Sequence, residues 1–300
     1  MDMGRWNTRL PIFLMGALLH LHAAAAADVA ALTFINGLPF TTIKIGAATT
    51  RLMIDSGGAL GISIPQTTVS ESGSVTLLDS KSKFRDIHGD VFEVQNLVAN
   101  QVVIGSTPIG PIQGHIHTEW GGAPEGPEAA LTKARKAGAI GLGAFGARPL
   151  LFDYAEARLV IYAPGEGPAA GHPGWRTLRL AYGKEGPSFT LRIDGKPLKF
   201  VLDTGASVNL VDAAMLAPSA PACSDADAAR EACDPRLLRD VRDESGQPME
   251  AFQAERMNFS GAPFAGILGA PFFARRRVLI DLAGQRLLLA SPGTDTEEKH

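Results

Sequence analysis

Two aspartates stand in near-identical settings: Asp55 opens Asp-Ser-Gly-Gly-Ala (55–59) and Asp203 opens Asp-Thr-Gly-Ala-Ser (203–207), each at the end of an apolar run. Carboxylates held within a few ångströms of each other cannot both ionise, so they share one proton and their macroscopic pKa values split. The ionised member can then take a proton from a water held between the pair, while the protonated member donates to the oxygen of a carbonyl under attack. Such chemistry adds water to a carbonyl with no acyl intermediate on the protein, no metal and no cofactor. It makes one demand on the fold: two strand ends far apart in the chain must face each other.

The sequence around the aspartates supplies matching elements. Pro39 to Gly57 (PFTTIKIGAATTRLMIDSG) aligns without a gap on Pro187 to Gly205 (PSFTLRIDGKPLKFVLDTG), at a constant offset of 203 − 55 = 148. Further on, Arg85-Asp86-Ile87-His88-Gly89 matches Arg242-Asp243-Glu244-Ser245-Gly246 at an offset of 157, each with a glutamate four residues after the glycine (Glu93, Glu250). Polar, Gly-centred segments leading into a strand are hairpin signals. Ile140-Gly141-Leu142-Gly143-Ala144 then matches Gly266-Ile267-Leu268-Gly269-Ala270 at an offset of 126, and each leads to an apolar strand with an Asp and a following Arg: Asp153 and Arg158, Asp281 and Arg286. The chain reads as a duplicated lobe.

Strand signals dominate: Thr41–Ile45, Arg51–Ile54, Val91–Val98, Gln101–Ile104, Leu159–Tyr162, Phe189–Ile193, Leu198–Leu202 and Val278–Leu282 are short runs rich in Val, Ile, Leu, Thr and Phe, separated by Gly, Pro, Asn and Asp. Helical periodicity is confined to Pro127–Ala137 and Asp212–Leu216. The predicted class is mainly β, with two β-barrel lobes in pseudo-twofold symmetry at 28–164 and 175–293, a Gly/Pro-rich linker at 165–174 and a tail at 294–300. Three hundred residues let each lobe bury its own core.

Arg5 and Arg9 precede the apolar stretch Leu10–Leu21 and the small residues Ala23–Ala27, a pattern that predicts a signal peptide over 1–27 and a secreted or periplasmic product beginning at Asp28. An uncleaved membrane anchor is the alternative; after cleavage no stable membrane association is expected. A formal net charge of −3 gives no electrostatic footprint for nucleic acid. Cys223 and Cys233 are the only cysteines, and in an exported chain they are expected to form a local disulfide.

Taken in order, an apolar strand ending in Asp-Ser/Thr-Gly, a Gly-containing hairpin, an apolar-Gly turn and an Asp-bearing strand resemble the retropepsin-like aspartic peptidases, exported bacterial members among them. The pattern occurs twice, over roughly Ala31 to Ser291, so the chain is similar to a single-chain pseudo-dimer with the plan of the bilobal pepsins. The resemblance implies a monomeric aspartic endopeptidase acting on peptides or proteins, with Asp55 and Asp203 as the catalytic pair. It implies that Ser56 and Thr204 bond across the lobe interface and that Gly57 and Gly205 let the turns pass close to the carboxylates. His88 with Gly89, and Ser245 with Gly246, would sit in two flaps that close over substrate. Gly58 and Ala206 stand where pepsins carry a hydroxyl bonded to the aspartate, which predicts a less acidic pH optimum than theirs. A non-catalytic peptide- or protein-binding relic, and a processing protease of narrow specificity with a lid over His115–Lys136, are the competing readings.

Other motifs carry less. Gly141-Leu142-Gly143-Ala144-Phe145-Gly146 satisfies a dinucleotide fingerprint, but Pro149 interrupts the helix that should follow. His115 and His117, near Glu119, alternate along a strand edge and are read as polar edge positions rather than metal ligands. Asp153 and Asp281 lack a following glycine and are read as structural.

Overall fold

The computed structural model of the chain describes residues 27–58, 61–85, 91–118, 136–214, 237–259 and 261–291. Each of the eight apolar runs lies in a strand, with ends shifted by up to three residues. The helix expected over Asp212–Leu216 does not start: Asp212 closes the strand Leu210–Asp212, and its carboxylate accepts a hydrogen bond from the Ala214 N–H at 3.0 Å, turning the chain instead. Such local side-chain bonding competes with a helix. Most of Pro127–Ala137 lies outside the described residues, as do the signal segment, Cys223, Cys233, His88, Gly89 and all but the two ends of His115–Lys136. Among the described residues no helix is long and apolar enough to cross a membrane.

The gapless repeat folds as two equivalent hairpins. Leu38–Ile45 runs antiparallel to Ala48–Asp55, and Gly186–Ile193 runs antiparallel to Lys196–Leu202. The pair Phe40 and Met53 in the first corresponds to Ser188 and Val201 in the second, both members displaced by 148. Asp194 and Gly195, with φ of 49° and 77°, make the tight turn of the second hairpin, the left-handed pair that matches strand twist. A third strand then lies parallel to each aspartate-bearing strand: Ala139–Gly141 beside Ala48–Asp55, and Gly266–Leu268 beside Lys196–Leu202.

Between the lobes lies a six-stranded antiparallel sheet. Its central pair is Leu150–Asp153 against Arg277–Asp281, with Leu151 opposite Leu279. Around that point the register is symmetric, since Leu150 faces Ile280 and Phe152 faces Val278. The pseudo-twofold axis therefore passes through the Leu151–Leu279 pair, and the offset of this half of the repeat is 279 − 151 = 128. That corrects the register of 126 by two residues: Gly141, not Gly143, is the counterpart of Gly269. Two glycines spaced by two in Gly141-Leu142-Gly143 let either one align on Gly269, and Leu142-Gly143-Ala144 matches Leu268-Gly269-Ala270 residue for residue. The strand Asp28–Ala31 at one edge of this sheet and Trp175–Arg179 at the other complete the symmetry.

Asp153 and Asp281 are structural, buried at 1% and 4% exposure. Arg158 donates through Nε and Nη2 to Asp153 at 3.0 and 2.9 Å, and Arg286 does the same to Asp281 at 2.9 and 2.6 Å. Phe152, Phe272, Phe273, Ile54 and Leu202 belong to one buried cluster that continues from lobe to lobe. Each fully buried side chain of this kind contributes about 1.5–3 kcal/mol, so the lobes are held together by a shared core.

The second matched hairpin is also corrected. Val241–Asp243 pairs with Leu191–Ile193, the place that Val102–Ile104 takes beside Ile43–Ile45 in the first lobe. The turns after them correspond too, since Met249 N bonds Val241 O and Ile109 N bonds Val102 O, at 2.8 and 2.9 Å. Ser245 and Gly246 are thus counterparts of the 105–107 turn rather than of Gly89. Ser245 Oγ and Gln247 N bond Asp243 Oδ1 at 2.6 and 2.9 Å, which makes this a closed structural turn. Short Asp-x-x-Gly turns look alike wherever they occur, which is why the match misled. In the first lobe Val75–Arg85 and Val91–Ala99 do pair antiparallel, while residues 86–90, His88 and Gly89 among them, lie outside the described residues. The corresponding stretch of the second lobe, between Leu210–Asp212 and Leu237–Leu238, is residues 215–236, outside the described residues.

Candidate active site

Asp55 is the last residue of its strand, pinned where Gly141 pairs with it, and Asp203 follows its strand directly, its N–H bonded to Leu268 O at 3.0 Å. The apolar runs before them drive both strands into the core, where Ile54 and Leu202 show no exposure. The turns that follow bring the carboxylates together at the seam. A Cβ added to Gly205 would stand 3.0 Å from Asp55 Oδ1 and 3.1 Å from Asp203 Oδ1, so both groups converge on one point. The two carboxyls are close enough that each perturbs the protonation of the other.

Gly57 is what makes the approach sterically open. A Cβ there would lie 2.5 Å from Asp203 Cγ and 2.6 and 2.8 Å from its oxygens, closer than real contacts allow. Two further backbone donors serve the pair: Gly58 N bonds Asp55 Oδ1 and Gly205 N bonds Asp203 Oδ1, each at 2.8 Å. Gly58, which has no side-chain hydroxyl to offer Asp55, thus supplies its main-chain N–H instead.

Ser56 and Thr204, both fully buried, cross the seam. Thr204 Oγ1 accepts from Ser56 N at 2.9 Å and donates to Ile54 O at 2.6 Å. Ser56 Oγ accepts from Thr204 N at 2.9 Å and donates to Leu202 O at 2.9 Å. Each hydroxyl thus accepts one bond and donates one bond across the seam.

Burial disfavours charge on both carboxyls. Asp203 is pushed up to about 8, first by desolvation and then by the neighbouring Asp55 charge, against the Gly205 and Gly57 N–H groups that favour ionisation. Asp55 is also raised by desolvation, less its bonds to Gly58, Asp203 and Gly57. One proton is therefore held by the pair over a wide pH range.

Three supporting residues had no obvious sequence signal. Asn209, 3% exposed, accepts from Gly269 N through Oδ1 at 2.9 Å and donates to Gln253 O at 2.9 Å. At the equivalent first-lobe position the Gly61 carbonyl accepts from Gly141 N at 3.0 Å, so a side-chain amide replaces a main-chain acceptor. Gly186 passes against the first dyad loop: a Cβ there would lie 3.3 Å from Ser56 O. Tyr154 packs on Phe273 with ring centroids 5.8 Å apart, and burial together with the Asp203 charge pushes its phenol above the ordinary value. Among the described residues no three His, Cys, Asp or Glu side chains gather as a metal site.

The sequence matches no protein-family model and no curated protein sequence. The structure, by contrast, resembles an aspartic proteinase from Irpex lacteus, with a TM-score of 0.55 and 14% identity over 92% of this chain and 100% of that one. It also resembles Basic 7S globulin from soybean, with a TM-score of 0.54 and 11% identity over 88% of this chain and 94% of that one. The fold is the two-lobed, mainly β fold of the pepsin-like aspartic proteinases. One of these two relatives in fold is named a proteinase and the other a globulin, so activity has to be argued from the site.

Proposed function

We propose that the chain is an aspartic endopeptidase, an exported, monomeric, tandem-lobe relative of the retropepsin-like enzymes in which Asp55 and Asp203 activate one water. One observation carries the reading: two carboxylates from equivalent turns of the two lobes converge on one point at the seam, where burial and the Asp55 charge raise Asp203 to about 8. Desolvating two acids beside one another costs several kcal/mol, and a scaffold with only a structural or binding role has no use for it. In the working state Asp55, favoured for ionisation by the Gly58 and Gly57 N–H groups, takes a proton from the water. Asp203 keeps its proton and donates it to the carbonyl oxygen of the scissile peptide bond. The gem-diol intermediate collapses as the proton gained by Asp55 passes to the leaving nitrogen and one gem-diol hydroxyl returns its proton to Asp203, which restores the pair. Both carboxylates are only half-buried, so the water and the peptide can reach them.

The test is cleavage of a diverse peptide library by the protein beginning at Asp28, from acidic to neutral pH, beside Asp55→Asn and Asp203→Asn. Each substitution is expected to lower kcat by about 10²–10⁴-fold, the share a positioned acid or base supplies. Full activity in either variant would refute the shared-proton pair, and no cleavage by the wild type at any pH would leave the binding-module reading in its place.

A further inference from the structure

The first-lobe sheet that carries Asp55 has two faces, and strand alternation sorts its residues between them. Ile54, Ile140, Ile62, Ile64 and Ile112 are buried in the core. Their strand neighbours point the other way. Met53 pairs with Ala139, Ala139 with Ser63, and Ser63 with His115, so these four stand side by side across adjacent strands. They lie on the face opposite the isoleucines, as does Asp55, two residues along the chain from Met53. Met53, Ala139 and His115 are only half-buried. The long first-lobe hairpin covers the far end of the row, where the Phe84 ring packs 4.8 Å from that of His115.

The polar groups in this row are unequally engaged. Ser63 Oγ accepts from Ala139 N at 3.1 Å and bonds His117 Nδ1 at 3.2 Å, so it is committed to the framework. The His115 ring nitrogens have no hydrogen-bond partner among the described residues, while the ring itself is fixed by Phe84. Burial first, and the His117 charge second, pull the His115 pKa down to about 4. The ring is therefore neutral at higher pH and presents one N–H donor and one lone pair.

We propose that His115 is a specificity-determining residue which, with Met53, Ala139 and Phe84, receives a substrate side chain that has an apolar body and a hydrogen-bonding tip, tyrosine above all. The inference rests on the peptidase reading. Met53, Ala139 and Phe84 supply apolar walls, and the imidazole offers its N–H, or its lone pair, to a phenol hydroxyl, which can accept or donate as required. Phenylalanine fits the same walls but leaves the imidazole N–H desolvated and unpaired, the condition under which sites discriminate by a hydroxyl. A carboxylate is disfavoured, because a neutral ring offers it no opposite charge.

The test uses matched peptides differing only in Tyr, Phe or Glu beside the scissile bond, with wild type, His115→Leu and His115→Gln. Wild type is expected to favour Tyr over Phe about tenfold in kcat/KM, the worth of one hydrogen bond. His115→Leu should bring that ratio to about one, and His115→Gln, which keeps a donor and an acceptor, should restore part of it. Calorimetric binding of the same peptides to Asp203→Asn should show the same tenfold preference in Kd without any turnover. Equal affinity for Tyr and Phe, binding of neither, or a Tyr preference that survives His115→Leu would overturn the assignment. Cleavage of all three peptides at one rate would do so while leaving the peptidase itself intact.

Discussion

Ser56 and Thr204 exchange hydrogen bonds main chain to side chain in both directions, Ser56 N to Thr204 Oγ1 and Thr204 N to Ser56 Oγ, each at 2.9 Å. The two residues are 148 positions apart and fully buried, and each also donates to a carbonyl of the opposite strand. Among the described residues neither N–H has another acceptor. The exchange converts two separately folded turns into one rigid platform for the carboxylates, since neither can shift without breaking both halves.

Removing one hydroxyl should therefore weaken the whole platform. Thr204→Val keeps the shape but leaves the Ser56 N–H buried and unpaired, at about 1–3 kcal/mol of stability. In a double-mutant cycle by denaturant unfolding, Ser56→Ala and Thr204→Val should be coupled by at least about 0.5–1 kcal/mol. Simple additivity would show that the two halves act separately.

The pH profile of kcat/KM should be bell-shaped and displaced from the strongly acidic range. Activity needs one proton on the pair. Its upper limb should fall near pH 8 as Asp203 loses that proton, and its lower limb should lie above 3.8, because Asp55 is also raised. An optimum at or below pH 3 would contradict both shifts.

Stability should respond to the same groups in a defined direction. A carboxyl whose folded pKa is raised binds protons more tightly in the native state, so it costs nothing at a pH below its unfolded value and costs progressively more as pH rises through the folded value. For Asp203 that window runs from 3.8 to about 8. Asp203→Asn removes the titration and should raise Tm relative to wild type at pH 8, by roughly 2–4 °C for each kcal/mol recovered, with no comparable gain at pH 3. An equal change at both pH values would mean that the gain has another origin.

Gly57→Ala tests the close approach. Its methyl would have to displace the Asp203 carboxylate, which lies 2.5 Å away at Cγ. A displacement near 1 Å at reacting groups costs about 100-fold in rate, so kcat should fall at least that far with circular dichroism unchanged. Retained activity would mean that the dyad geometry tolerates the shift.

Much of the site was legible because its signals are local. An apolar run ending in Asp-Ser-Gly or Asp-Thr-Gly specifies a strand, then a turn with a carboxylate at its mouth, and the constant offset of 148 over nineteen residues marks the two copies as equivalent. Where local patterns were short the reading slipped. The Gly141 and Gly143 ambiguity moved one register by two residues, and an Asp-x-x-Gly turn at 243–246 passed for a flap. Asn209 carried no signal at all, since its value lies in the Gly269 N–H that it meets, sixty residues on.

The sequence by itself determined the repeat, the strands, the two carboxylates and the hydroxyls beside them, because periodicity and turn chemistry act within a few residues of the chain. The tertiary structure alone decided that the lobes share a six-stranded sheet centred on Leu151 and Leu279, that Gly58 serves Asp55, and that His115 lies in one row with Met53 and Ala139. Those are pairings between distant strands, selected by which register buries Ile54, Leu202 and Phe152 in a common core, and that free energy belongs to the assembled fold rather than to any segment.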